Sequence, residues 1–326
     1  DVPAKLGIDY ETLKALKPNL IYLDNTAWGR KGPWAHRPGY DIIAQAVSGL
    51  MAAEGKLEPS GAPGTITSTA IADYTTGVAI AWGICAALYH RERTGEGQLV
   101  ETTLLNTALA VQGTTAMDLP AADAMRMMKM AKVQELRGQG ADYPALLDAY
   151  QMGNLARAAN IYYRTYKTSD GAVAIGALSP TLWAKVRAAV PTDFLGMADP
   201  AFNPLDAAYL AKAREGVAQV EQQFTEKTTA EWTSIMEHHG VPVGPVNFVE
   251  DAVNDPQTIE NGMMVELDHP LSGPQKQVGP MIRMEKTPLA AQGPSPVLGA
   301  DTDAVVASAG YTPDEIAALR ASGVIA

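Results

Sequence analysis

Cysteine is nearly absent from this chain. Cys85 is the only one in 326 residues, so neither a disulfide framework nor a CxxC metal site can form. Basic blocks are missing as well. Lys and Arg number 25 against 36 Asp and Glu, a formal net charge of -11. That balance argues against nucleic acid or an anionic membrane as partner and leaves only a local cation site for a phosphorylated ligand. Long apolar runs are also lacking. The longest uncharged helical stretch, Tyr74–Tyr89, falls short of a bilayer span and is rich in Gly, Thr and Ala, so it is expected to be a core helix with no membrane contact. No signal peptide is visible in "DVPAKLGIDYETLKALKPNLIY", and the expected location is cytoplasmic. There is no Walker A sequence, no GxGxxG after a strand, no HExxH and no GxSxG, which removes the commonest enzyme labels. His238 and His239 are adjacent rather than a helical turn apart, so no metal site is expected there or elsewhere.

What is present is the composition of a globular protein, 47% apolar and 19% charged, long enough for two domains. "ETLKALKPNLIYLDNTAW" predicts a short helix stopped at Pro18, a strand Leu20–Leu23 and a polar loop. The loop "WGRKGPWAHRPGYD" leads into a helix over Asp41–Met51. A Gly/Pro loop ending near Ser68 precedes the uncharged helix, after which come a turn at Gly95–Gly97 and the mixed segment "QLVETTLLNTALAVQG". This βα alternation predicts an α/β class with a parallel, helix-covered sheet. Ala121–Tyr150 reads as a helical arm whose Met125, Met127, Met128 and Met130 pack against a core or a partner. "ANIYYRTYKTSDGAVAIGAL" predicts a hairpin turning at Ser169-Asp170-Gly171, which opens a smaller α+β domain. Helices follow up to Gly240, then a connector "GVPVGPVNFVEDAVNDP", an extended stretch "LDHPLSGPQKQVGPMIRM", a Pro/Gly loop and a terminal helix from Thr312. The expected organisation is a large domain over 1–105, a helical linker arm over 106–155, a small α+β domain over 156–240, and a connector returning to the large domain over 241–326.

Asp73 is the one carboxylate at the mouth of the uncharged helix. One reading makes it the helix N-cap, accepting first-turn N–H bonds. The other makes it a nucleophile, and the two are compatible, because a capped carboxylate is held in one orientation. The helix dipole is expected to keep it ionised by lowering its pKa slightly. Gly77 and Ala81 on one side of the helix, with Gly83 and Ala87 on another, would admit neighbouring backbone and build a dry pocket. First-turn N–H groups would then stabilise developing oxyanions.

The segments "HRPGYDIIAQAVSGLM", "IADYTTGVAIAWGICAALYHRERTGEGQLVETTLLN", "GVPVGPVNFVEDAVNDPQ" and "VLGADTD" together resemble the family III CoA-transferases of the CaiB/BaiF type, in the family's order and from about Lys17 onward. The resemblance implies a Rossmann-like large domain plus a small α+β domain, and two copies interlocked as a homodimer. It implies that Asp73 is the nucleophile, acylated first and then carrying CoA, and that Tyr40 and Asp41 lie beside the CoA thioester. Coenzyme A is then a co-substrate, with no tightly bound cofactor, and the other partners are an acyl-CoA and a free carboxylic acid. Arg37, His36 and Lys31 are candidates for the CoA phosphates, with ordinary solvated loop cations as the alternative. The family's chains begin with a further segment that forms the first strands of the large domain, so the resemblance also implies a large domain without that part. The Gly-rich loop of formyl-CoA transferases is not recognisable before Tyr162, which weakens an expectation of formate or oxalate specificity. Two alternatives accompany this reading: an acyl-CoA racemase of the same fold, which would need a His where Tyr40 stands, and a non-catalytic subunit or decayed copy.

Overall fold

The computed structural model describes residues 2–119, 123–151, 159–203 and 206–325. Two compact units divide the chain, one comprising 1–161 and 191–220, the other 162–190 and 221–326. Ala121, at the start of the expected arm, and the expected boundary at 155/156 lie outside the described residues.

The first unit runs α1 (Val2–Leu6), α2 (Tyr10–Leu16), β1 (Tyr22–Thr26), α3 (Asp41–Val47), α4 (Leu50–Glu54), α5 (Ile71–Thr94), β2 (Leu99–Thr103), α6 (Leu104–Ala110), α7 (Ala124–Gly138) and α8 (Tyr143–Gln151). β1 and β2 are parallel, in register from Tyr22 opposite Leu99 to Thr26 opposite Thr103. β1 therefore starts two residues later than the apolar run Leu20–Leu23 suggests and continues into polar sequence. Its extent is set by the ladder to β2, and Asp24 is tolerated in the strand because Arg30 donates to both its carboxylate oxygens at 2.6 and 2.7 Å. The segments leading into β1 and β2 run so close together that no side chain fits at Gly97, where a Cβ would stand 2.1 Å from the Leu20 carbonyl oxygen.

The helix expected over Asp41–Met51 is two helices. Gly49 adopts φ +84°, a left-handed conformation that breaks the run between α3 and α4. α3, α5 and α6 meet through small side chains: Ala44, Ala72 and Ala108 are fully buried, with Leu104 beside them and Ala27 packed against the cluster. Small contacts let the helices approach closely, and the buried hydroxyls of Thr76 and Thr107 then satisfy each other at 2.6 Å.

α5 departs from expectation. It is long and apolar enough to cross a membrane by length and composition, because the helix continues on both sides of its uncharged stretch. It is not a core helix all round. One side packs, with Ala87 buried and Gly83 so close to β2 that a Cβ would lie 3.0 Å from Val100. The other side leaves Tyr74 71% and Trp82 76% exposed, together with Val78 and Tyr89. A Cβ placed on Gly77 would meet nothing within 4 Å and Ala81 is exposed, so only the Gly83 and Ala87 side provides the expected close approach.

The second unit is built on a three-stranded antiparallel sheet, β3 (Tyr163–Lys167), β4 (Ala172–Gly176) and β5 (Val243–Pro245). The hairpin turns where expected, and the Asp170 carboxylate accepts from the Thr229 backbone N–H at 2.8 Å and its hydroxyl at 2.9 Å. Tyr166, Phe224 and Trp232 stack in sequence, with ring centroids 3.9 and 4.4 Å apart. β5 falls in the segment read as a connector; three residues containing Gly and Pro carry no strand signal of their own. The helices are α9 (Pro180–Ala189), the end of α10 (Ala207–Phe224), α11 (Thr229–His238), α12 (Val249–Ala252), α13 (Pro256–Glu260), α14 (Thr302–Ser308) and α15 (Pro313–Ala321). The extended stretch is a second hairpin, β6 (Met264–His269) with β7 (Gly273–Val278). α15 starts at Thr312 as expected, closed by a reciprocal capping box with Glu315. The class is mixed α/β, with one parallel pair and two antiparallel sheets among the described residues.

Candidate active site

Asp73 occupies the first turn of α5 but does not cap it. The N-cap position belongs to Ala70, whose methyl group cannot accept a bond. The cap comes instead from Asp41, which is 31 positions before Ala72, at the start of α3. Its Oδ1 accepts from Ala72 N–H at 2.7 Å and more distantly from Asp73 N–H at 3.4 Å. This corrects the N-cap reading of Asp73, and it engages two of the expected oxyanion donors, the Ala72 and Asp73 N–H groups, with Asp41.

Asp41 is itself fixed from behind. Gln45, fully buried one turn along α3, donates its amide to Asp41 Oδ2 at 2.6 Å and to the Ile66 carbonyl at 3.1 Å, and accepts from Ile66 N–H at 3.0 Å. One side chain thus pins the loop before α5 and orients the carboxylate that closes the helix. Gln45 was not singled out from sequence; the only hint was a polar residue on the apolar face of a periodic helix.

The result is two carboxylates with different duties. Among the described residues the Asp73 carboxylate accepts no hydrogen bond, and the residue is exposed. Partial desolvation, with the nearby Asp41 charge as the smaller cause, raises its pKa above the usual 3.8. The direction is opposite to the one the helix dipole alone predicts, because a neighbouring anion and lost hydration outweigh a first-turn dipole contribution of about 0.3–1 kcal/mol. Tyr40, the residue immediately before α3, is 75% exposed.

The loop carrying the candidate cations is ordered by tryptophans. Trp28 and Trp34 meet edge to face at 5.1 Å, Trp28 Nε1 donates to the Pro38 carbonyl at 3.3 Å, and the Arg37 guanidinium lies 4.5 Å over the Trp34 ring. Gly39 is required here, since a Cβ would meet Ala27 at 2.4 Å and the Trp28 ring at 2.9 Å. Lys31, His36 and Arg37 are exposed, and the structure records no contact between them and Asp73. Asp41 and Asp73 are the sequence-selected residues that the fold brings together. Among the described residues no three His, Cys, Asp or Glu side chains gather as a metal cluster.

Comparison with known proteins gives this geometry a context. The family model for CoA-transferase family III matches residues 1–302. The succinyl-CoA:glutarate CoA-transferase of Mus musculus is 30% identical over 328 residues, covering 99% of this chain and 69% of that protein. The acetyl-CoA:oxalate CoA-transferase of Acetobacter aceti is 29% identical over 265 residues, covering 80% and 60%. Among solved structures, a CaiB/BaiF family protein from Brucella suis superposes with a TM-score of 0.64 at 26% identity, covering 94% of this chain and 72% of that one. Rv3272 from M. tuberculosis, at 22% identity and a TM-score of 0.67, shares the fold over 93% of this chain and 71% of that one. With a family match across almost its whole length and relatives that are themselves CoA-transferases, the chain belongs to CoA-transferase family III.

Proposed function

We propose that this protein moves coenzyme A from an acyl-CoA thioester to a free carboxylic acid, with Asp73 as the nucleophile. The observation that carries this reading is the division of labour between the carboxylates: Asp41 closes α5, which leaves Asp73 beside it without a partner among the described residues. An Asp73 oxygen attacks the thioester carbonyl, the C–S bond breaks, and CoA leaves as thiolate from a mixed anhydride. The thiolate attacks the aspartyl carbonyl, expelling the first acid as carboxylate and leaving an aspartyl-CoA thioester. The incoming carboxylate attacks that carbonyl and releases thiolate again. The thiolate then attacks the new acyl group, forming the product thioester and restoring Asp73. No ATP is required, because the thioester energy passes through covalent bonds and is not lost to water. A carboxylate with a raised pKa is the more basic nucleophile once ionised.

In this reading Lys31 and Arg37 offer cations, and His36 a ring N–H, to the CoA phosphates from the loop ordered by Trp28 and Trp34. The relatives' names direct the search for acids toward small carboxylates such as glutarate, succinate and oxalate. The test is a transfer assay in D₂O with that panel. New acyl-CoA should appear with total thioester constant and the α-hydrogen of the donor retained. Deuterium uptake without transfer would assign the racemase activity instead, and CoA binding with neither would assign a binding subunit.

Tyr40 distinguishes these readings at the level of one residue. A phenol lacks the basic ring nitrogen of a histidine but is a good hydrogen-bond partner and wall for an acyl-CoA. Tyr40→Phe should therefore weaken acyl-CoA use by about tenfold, the equivalent of one hydrogen bond, and leave the α-hydrogen untouched.

A homodimer belongs to the same proposal. The apolar side of α5 is uncovered, and Met127 and Met128 on α7 are more than half exposed at 52% and 56%. Sedimentation at micromolar concentration should show a dimer whose thermal stability falls on dilution. A stable, folded monomer would remove the dimer from the account.

A further inference from the structure

A cavity of about 530 Å³ lies in the first unit, away from Asp73. Ser48 and Gly49, just past the last turn of α3, form one wall, whereas Asp41 and Asp73 stand at that helix's first turn. A seven-residue helix is about 10 Å long, so the two places are separated by roughly that distance. Gln112 closes the floor, donating to the Ser48 carbonyl at 3.0 Å and the Ala108 carbonyl at 2.9 Å. The opposite wall is the first two turns of α7, which presents Arg126 and Lys129 one helical turn apart.

Neither cation has an ion-pair partner among the described residues. Lys129 Nζ sits 4.2 Å from the centroid of the Tyr150 ring, and Asp123, the one carboxylate among the described lining residues, is engaged as the N-cap of α7, accepting from Arg126 N–H at 3.0 Å. Among the described lining residues two cations stand against one acid, a net positive charge inside a chain whose own net charge is -11. The Lys129 pKa is lowered, by burial first and by the Arg126 charge second, with Asp123 opposing. Two half-buried cations that share one acid repel each other, and an anion that joins them relieves that repulsion. Leu109, Met125 and Met130 add apolar surface to the lining, beside Thr114 and Thr115.

We infer that this cavity is a second binding site, one that takes a small organic anion with its carboxylate or phosphate oxygens on Arg126 and Lys129 and its apolar part against the methionines. The same oxygen chemistry is offered by a free carboxylic acid and by a phosphate group, and the experiment separates the two. Wild-type protein is treated with a limiting amine-acylating reagent, and modification of Lys129 is followed by peptide mass spectrometry in the presence of glutarate, inorganic phosphate, or neither. Protection of Lys129 by at least about tenfold with a saturable dose dependence is expected, as for a pair of charge-assisted bonds. Protection by glutarate alone identifies a carboxylate site, and by phosphate alone a phosphate site; either result supports the proposal. Asp73→Asn should show the same protection, because the cavity does not involve that carboxylate. Loss of protection in Asp73→Asn would place the anion at the transfer site and overturn the proposal. So would equal labelling of Lys129 with and without both anions at millimolar concentration. Calorimetric binding of the same anion by an Arg126→Gln variant that melts like wild type should be at least about tenfold weaker, and unchanged affinity would equally contradict it.

Discussion

Asp73→Asn should abolish transfer, by about a thousandfold or more, while acyl-CoA binding persists, because an amide cannot form the anhydride. The same substitution should not destabilise the protein. The folded-state pKa of Asp73 is raised, so its favourable contribution to folding exists below the unfolded pKa and is lost as pH rises through the folded one. Above the folded pKa the ionised carboxylate therefore opposes folding slightly, and its removal should raise the melting temperature there. Well below the unfolded pKa both proteins carry a neutral group and the difference should vanish. A variant that loses activity together with several degrees of stability at pH 7 would mean that Asp73 supports the fold, against the assignment of that duty to Asp41.

Asp41 is expected to show the complementary behaviour. Asp41→Ala removes the acceptor for two backbone N–H groups and leaves the buried Gln45 amide without one of its partners, at a cost of about 1–3 kcal/mol. Asp41→Asn keeps an oxygen for Ala72 N–H but turns an amide donor toward the Gln45 donor, so it should be less stable than wild type and more stable than the alanine variant. Its kinetic signature is more telling. The Asp41 charge contributes to raising the Asp73 pKa, so in Asp41→Asn the acid limb of the kcat/KM profile should move to lower pH. An unmoved limb, measured on protein that remains folded, would show that the two carboxylates do not sense each other.

Local chemistry made some of this legible in the sequence. The uncharged helix, the Ser169–Gly171 hairpin and the Thr312 start of the terminal helix each carry their signal within a few residues, as periodicity, turn residues or a capping box. Asp73 was visible for the same reason, as a single charge before an uncharged run. What was not legible depends on partners far along the chain. The cap on α5 comes from a residue 31 positions away, Gln45 holds Ile66 across 21 positions, and the extent of β1 is set by β2. β5 exists because β4 offers it an edge; its own sequence offers Gly and Pro. The exposed side of α5 had no sequence signature either, because an uncharged run reads as buried whether or not anything covers it.

The central claim is that acyl transfer passes through a covalent bond to Asp73. Incubation with an acyl-CoA, acid quench, digestion and peptide mass spectrometry should find CoA attached to the peptide that begins α5, at Asp73, and a subsequent chase with the acceptor acid should remove it as new acyl-CoA. Turnover with no adduct on Asp73, or with the adduct on Asp41 or on the exposed Cys85 thiol, would contradict the account.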